Sequence, residues 1–132
     1  MLSHEIFSAA LAVEKAMYRA LSEVEELTDE LAQAVDRQDQ VSVRMFLALR
    51  QEPIDCLTGY KAQLRRQCAG LPAEDGALLR RLLEEKEPPQ CTGAEELLRQ
   101  VNRNRVLLER IVRADQRISS RLGGTSSFYE RK

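Results

Sequence analysis

The chain has 132 residues, one domain's worth, with 43% hydrophobic and 31% charged residues and a formal net charge of −1. Its 20 basic and 21 acidic side chains are spread along the whole length, so no basic face is expected to neutralise a run of phosphates and nucleic acid is excluded as an expected partner. No apolar run reaches the ~20 residues of a membrane span, no basic and apolar leader of a secretion signal opens the chain, and Cys56, Cys68 and Cys91, odd in number and without CxxC spacing, read as reduced cytoplasmic thiols.

Residues 4–37 contain neither Gly nor Pro. Ser3 can cap a helix start, although the position three residues later is Ile6 rather than the Glu or Gln of a capping box. Ile6, Ala10, Val13, Met17, Ala20, Val24, Leu27, Leu31 and Ala34 then fall at alternating spacings of four and three, a heptad seam. At ~1.5 Å per residue this helix is roughly 50 Å long, so it must lie along partners of similar length. Leu11, Leu21 and Val35 widen the apolar stripe and imply contact with more than one helix.

The segment VDRQDQVSV breaks that period, and Asp36 or Asp39 can cap a second helix after a reversal. Its stripe runs through Val43, Phe46/Leu47, Leu49, Ile54, Leu57, Tyr60/Lys61, Leu64 and Cys68. Pro53 falls inside it without disturbing the phase, which predicts one kinked helix rather than two. CAGLP ends the element, with Gly70 as the stop. Residues 73–86 predict a short amphipathic helix carrying Leu78, Leu79, Leu82 and Leu83, a lid on the end of a bundle. Pro88 and Pro89 end it.

Thr92 and Glu95 have capping-box spacing ahead of a last helix that reaches about Leu122. Its stripe is Leu97/Leu98, Val101, Asn104, Leu108, Ile111/Val112, Asp115, Ile118 and Leu122. Two seam positions, Asn104 and Asp115, are polar, and a buried amide or carboxylate without a partner costs on the order of 1–3 kcal/mol. Either they are held within the bundle, or the helix face is partly reserved for another polypeptide. Gly123 and Gly124 end the helix, and the tail GGTSSFYERK (123–132) places Phe128 and Tyr129 on a polar spacer too short to build a core. These aromatics predict docking anchors for an apolar groove. The expected architecture is all-α: an elongated antiparallel bundle of long coiled-coil-like helices with a short connecting helix, spanning 1–122.

No constellation for catalysis or metal binding stands out. His4 is the sole histidine, with no ligand partners at metal spacing, and no cysteine has a histidine beside it in the sequence. The chain is expected not to be an enzyme, and no cofactor is implied.

With its gapless heptad helix, second long helix, proline-rich break, and last helix LLRQVNRNRVLLERIV followed by LGGTSSFYERK, the chain resembles the FlgN family of flagellar type III export chaperones. That family carries an Asn-bearing stretch in its C-terminal helix and then a Gly/Ser/Thr tail with a Tyr. Here Asn102 and Asn104 stand closer together than in that pattern. The resemblance implies a small cytoplasmic chaperone that binds hook–filament junction proteins and delivers them to the export apparatus. It also implies recognition by the C-terminal helix and tail: Leu97, Val101, Asn104, Leu108, Ile111, Asp115, Ile118, Leu122, Phe128 and Tyr129. Two alternatives share the same composition: a structural bundle that assembles with itself into a homo-oligomer through the first helix, and a regulatory helical adaptor.

Overall fold

Four helices follow one another, α1 (His4–Asp36), α2 (Gln40–Ala69), α3 (Ala73–Leu83) and α4 (Thr92–Arg121). The computed structural model describes residues 2–122, with no strand among them; Phe128 and Tyr129 lie outside the described residues. The fold is an all-α bundle of three long helices with a short connecting one. α1 lies at its centre and packs along both α2 and α4, whereas no Cα atom of α2 comes within 8 Å of one of α4 among the described residues. Phe7 meets Gly93 near the start of both α1 and α4, and Leu31 meets Ile118 near both their ends. α1 and α4 therefore run parallel, with α2 antiparallel to both.

Two interleaved seams on α1 explain its central place. Ala10, Met17, Val24 and Leu31 recur every seven residues and form a buried spine. On one side of that spine, Ala16 and Ala20 share a cleft wall with Pro53 and Tyr60 of α2. On the other, Phe7, Glu14, Leu21 and Thr28, again seven apart, turn toward α4 and are all buried. The single heptad seam read from the sequence is thus half of the interface. Ile6 and Leu27 are half-buried, and Phe7 and Thr28 take the interior at those two levels. Thr28 can do so because its hydroxyl donates to the Val24 carbonyl oxygen at 2.7 Å, which satisfies its one polar atom inside the helix.

Local signals set the helix ends. The Ser3 hydroxyl accepts from the Ile6 N–H at 3.3 Å, and Asp39 caps α2 by accepting from the Ser42 N–H at 3.1 Å. Hydrogen bonds from Ser42 hold the Asp39 carboxyl below its ordinary range. Between these helices Gln38 takes a left-handed φ of 59° to reverse the chain. α2 runs unbroken through Pro53, whose ring is buried against α1. Leu49, placed in the stripe by its apolarity, is instead 49% exposed, and the buried position beside it belongs to Arg50. The capping box expected at Thr92 does not form. α4 begins at Thr92 itself, with Cys91 as its cap and no capping side-chain bond, and the Glu95 N–H bonds to the Cys91 carbonyl oxygen at 3.0 Å.

α3 closes the end where α1 and α4 begin. Leu79 and Leu82 are buried in a cluster with Phe7, Val13, Leu64, Leu97 and Val101, while Leu78 and Leu83 pack at its edge. The helix stops at Leu83, three residues short of the expected end. Two glycines permit the close packing here. A Cβ on Gly76 would collide with the Cys68 carbonyl oxygen of α2, and one on Gly93 would stand 3.0 Å from the Phe7 ring.

Candidate functional site

The face of α4 expected to recognise a partner divides into two parts. Leu97, Val101, Asn104, Ile111 and Ile118 are buried. In the described structure these five pack as core residues, so the stripe is covered within the chain at those positions. Leu122 is half-buried against Ile118 and Leu31, and Asp115 is partly exposed. Leu108 is 42% exposed and Val112, one turn on, is 45% exposed. Stripe positions on a helix spread over more than 100°, and a docked neighbour covers only the middle of that arc. The period alone could not tell the covered positions from the edge ones.

Both polar seam residues have partners within the chain. Asn104 Nδ2 donates to the Glu14 carboxylate oxygen Oε1 at 2.7 Å and to the Glu14 carbonyl oxygen at 2.8 Å. Its own Oδ1 accepts from Gln100 Nε2 at 3.1 Å. All three side chains are buried at the α1–α4 interface. Burial raises the pKa of the Glu14 carboxyl. The Asn104 hydrogen bond works against that rise, and the negative charge of Glu85 adds to it. Asp115 is held by Arg50 through a two-point bridge, Nη1 to Oδ1 at 3.0 Å and Nη2 to Oδ2 at 3.1 Å. A buried guanidinium fits this place because its planar fork matches a carboxylate at two points. The polar residues of α4 thus fix its register against α1 and α2.

The Arg50–Asp115 bridge also sets what lies between α2 and α4. Leu108, Val112 and Asp115 share one face of α4 at spacings of four and three. Since Asp115 reaches Arg50, that face looks toward α2. Leu47 and Ile54 flank Arg50 on α2 and are half-buried, packed against the clusters that contain Ile118 and Ile111. One antiparallel turn away from the bridge, Ile54 comes level with Ile111 and Val112; a further turn brings Leu57 level with Leu108. α2 and α4 stand apart, so these apolar residues border a groove between the two helices that the Arg50–Asp115 bridge crosses.

Outside the groove α4 is tied to α1 by Arg110, which grips Glu25 at 3.0 and 3.1 Å, and by Arg121 on Asp36 at 2.7 Å. The Arg103 guanidinium also lies 4.8 Å from the centre of the Tyr18 ring. Exposed pairs of this kind contribute little each, about 0–1 kcal/mol, but they all favour the same parallel register. Among the described residues no group of three His, Cys, Asp or Glu side chains could hold a metal ion, and no helix is long and apolar enough to cross a membrane. Comparison with models of known protein families, with curated proteins and with solved structures finds no match to this chain.

Proposed function

We propose that the chain is a cytoplasmic export chaperone of the FlgN kind, binding an amphipathic terminal segment of a hook–filament junction protein and keeping it competent for delivery to the export apparatus. The observation that supports the reading is the α2–α4 groove. Three long helices leave the fourth position of a bundle open, opposite α1, and its rim carries exposed Leu108 and Val112. An amphipathic helix buries its apolar face in such a groove with anchors at i, i+3/i+4 and i+7. A client that is disordered beforehand loses conformational entropy on docking, which keeps affinity moderate and release easy. Recognition then falls on Leu108 and Val112 with Leu47 and Ile54, while the buried members of the stripe hold the groove in shape. Phe128 and Tyr129 follow α4 in the sequence and are proposed as further anchors for the same client.

The experiment is calorimetric titration of synthetic terminal peptides from junction proteins into the intact chain. The expected result is micromolar binding that Leu108→Glu/Val112→Glu abolishes and Phe128→Ala/Tyr129→Ala weakens. If the groove variant binds every peptide as the parent does, the helix-in-groove mechanism is wrong. Sedimentation of the free chain as a stable oligomer that the same variant dissociates would favour the self-assembling bundle instead.

A further inference from the structure

A second cleft lies on the other side of the molecule, where α1, α2 and α3 meet, with a volume of about 910 Å³. Its floor is apolar, made by Met17, Leu64, Leu71 and Leu83. Three cations, Lys61, Arg65 and Arg80, line it, all exposed. Among the described residues none of the three takes part in a salt bridge. Glu84, the exposed acid in the lining, is held by Lys86 at 3.5 Å. Glu14, buried and hydrogen-bonded to α4, is also among the residues that line the cleft. Among the described residues Asn104 is the side chain that hydrogen-bonds it.

From this arrangement we infer that the α1–α2–α3 cleft is a peptide-binding site, which takes a large apolar side chain of a protein partner and is specific for acidic residues flanking that anchor. The apolar lining suits the anchor side chain, and the volume leaves room for a short stretch of peptide on either side of it. Lys61, Arg65 and Arg80 give the rim a positive sign that complements carboxylates. A hydrocarbon amphiphile also has an anionic head and an apolar body, but the cations are spread over two helices, Lys61 and Arg65 on α2 and Arg80 on α3, and suit several carboxylates rather than one head. Burial shifts the Glu14 carboxyl toward its neutral form, which lessens repulsion of an acidic ligand. This site is separate from the α2–α4 groove, and its occupant differs from a client helix in being short and acidic.

The test uses a fluorescein-labelled peptide pool in which a central Leu, Ile, Met or Phe is flanked on both sides by Glu and Asp, read by anisotropy on the intact chain. Saturable binding is expected, with the dissociation constant raised about tenfold in Lys61→Glu/Arg65→Glu and unchanged in Leu108→Glu/Val112→Glu. With methionine methyl groups labelled for NMR, the Met17 resonance should move on titration while that of Met45, on the outer face of α2, stays in place. The inference is overturned if no pool member saturates, or if Lys61→Glu/Arg65→Glu, melting as the parent does, binds equally well. It is also overturned if decanoate shifts the Met17 methyl and the peptides do not, which would assign the cleft to a hydrocarbon ligand. None of these outcomes bears on the client groove, which the Leu108→Glu/Val112→Glu variant reads independently.

Discussion

Replacing Asn104 by leucine asks what holds α4 to α1. The new side chain has the same number and branching of heavy atoms, but three hydrogen bonds are lost, two to Glu14 and one from Gln100. The Glu14 carbonyl lies within α1, so losing Asn104 there costs little. The Glu14 carboxyl and the Gln100 amide are both buried and would each be left short of a partner. At about 1–3 kcal/mol for each of these two groups, Asn104→Leu should cost about 2–6 kcal/mol. Urea unfolding followed by circular dichroism at the helix band measures this as a lowered midpoint with an unchanged slope. Truncating both partners to apolar residues should recover much of the loss, since a fully apolar contact leaves nothing unsatisfied. Glu14→Leu/Asn104→Leu is therefore expected to be more stable than Asn104→Leu. A loss below about 0.5 kcal/mol for the single variant would mean that α4 is not docked through this network, and Asn104 would return as a candidate for partner recognition.

Leu31 is fully buried, so Leu31→Ala should cost about 2–5 kcal/mol; Leu27 is only half-buried, so Leu27→Ala should cost distinctly less. Denaturant titration of both variants checks the order, and equal losses would refute the two-seam account of α1. The raised carboxyl of Glu14 makes a signed prediction. Its proton is held more tightly in the folded chain than in the unfolded one, so its contribution is full below the ordinary carboxylate range and is lost as pH rises through the raised value. Glu14→Gln should therefore be close to neutral at pH 4 and progressively more stable than the parent from pH 5 to pH 8 by thermal melting, whereas a gap that widens toward acid would reverse the sign. Gln38 holds a left-handed backbone in the α1–α2 turn. Gln38→Gly should raise stability by about 0.5–1 kcal/mol, and a loss of stability would show that its side chain matters more than its φ.

Much of the fold was legible because helix formation is periodic and local. The Gly- and Pro-free run of 4–37, Ser3 and Asp39 as caps, Gly70 as a stop and the Pro88–Pro89 break each act within a turn or two of the chain, so the order of long, long, short, long was readable without tertiary information. Pro53 was readable as internal because the apolar phase continues on either side of it. The candidate site was less legible. Leu107 and Leu108 are neighbours of the same residue type, yet Leu107 is 2% exposed and Leu108 is 42% exposed. Nothing in composition or spacing separates them, because the difference lies in where α1 sits around α4.

The amino-acid sequence by itself determined that this protein is helical, where its helices start and stop, and which broad stripe of each is apolar. Those properties follow from backbone sterics, caps and the 3.6-residue period, all of which act over short separations. Tertiary structure decided which edge of each stripe is covered. It placed Glu14 of α1 against Asn104 and Arg50 of α2 against Asp115, pairs separated by 90 and 65 residues. It also turned two seemingly misplaced polar residues of α4 into register pins and left the groove and the basic cleft as the open surfaces. The physical reason is that satisfaction of a buried polar group and coverage of an apolar one are properties of pairs, and the partners are chosen only when the helices meet.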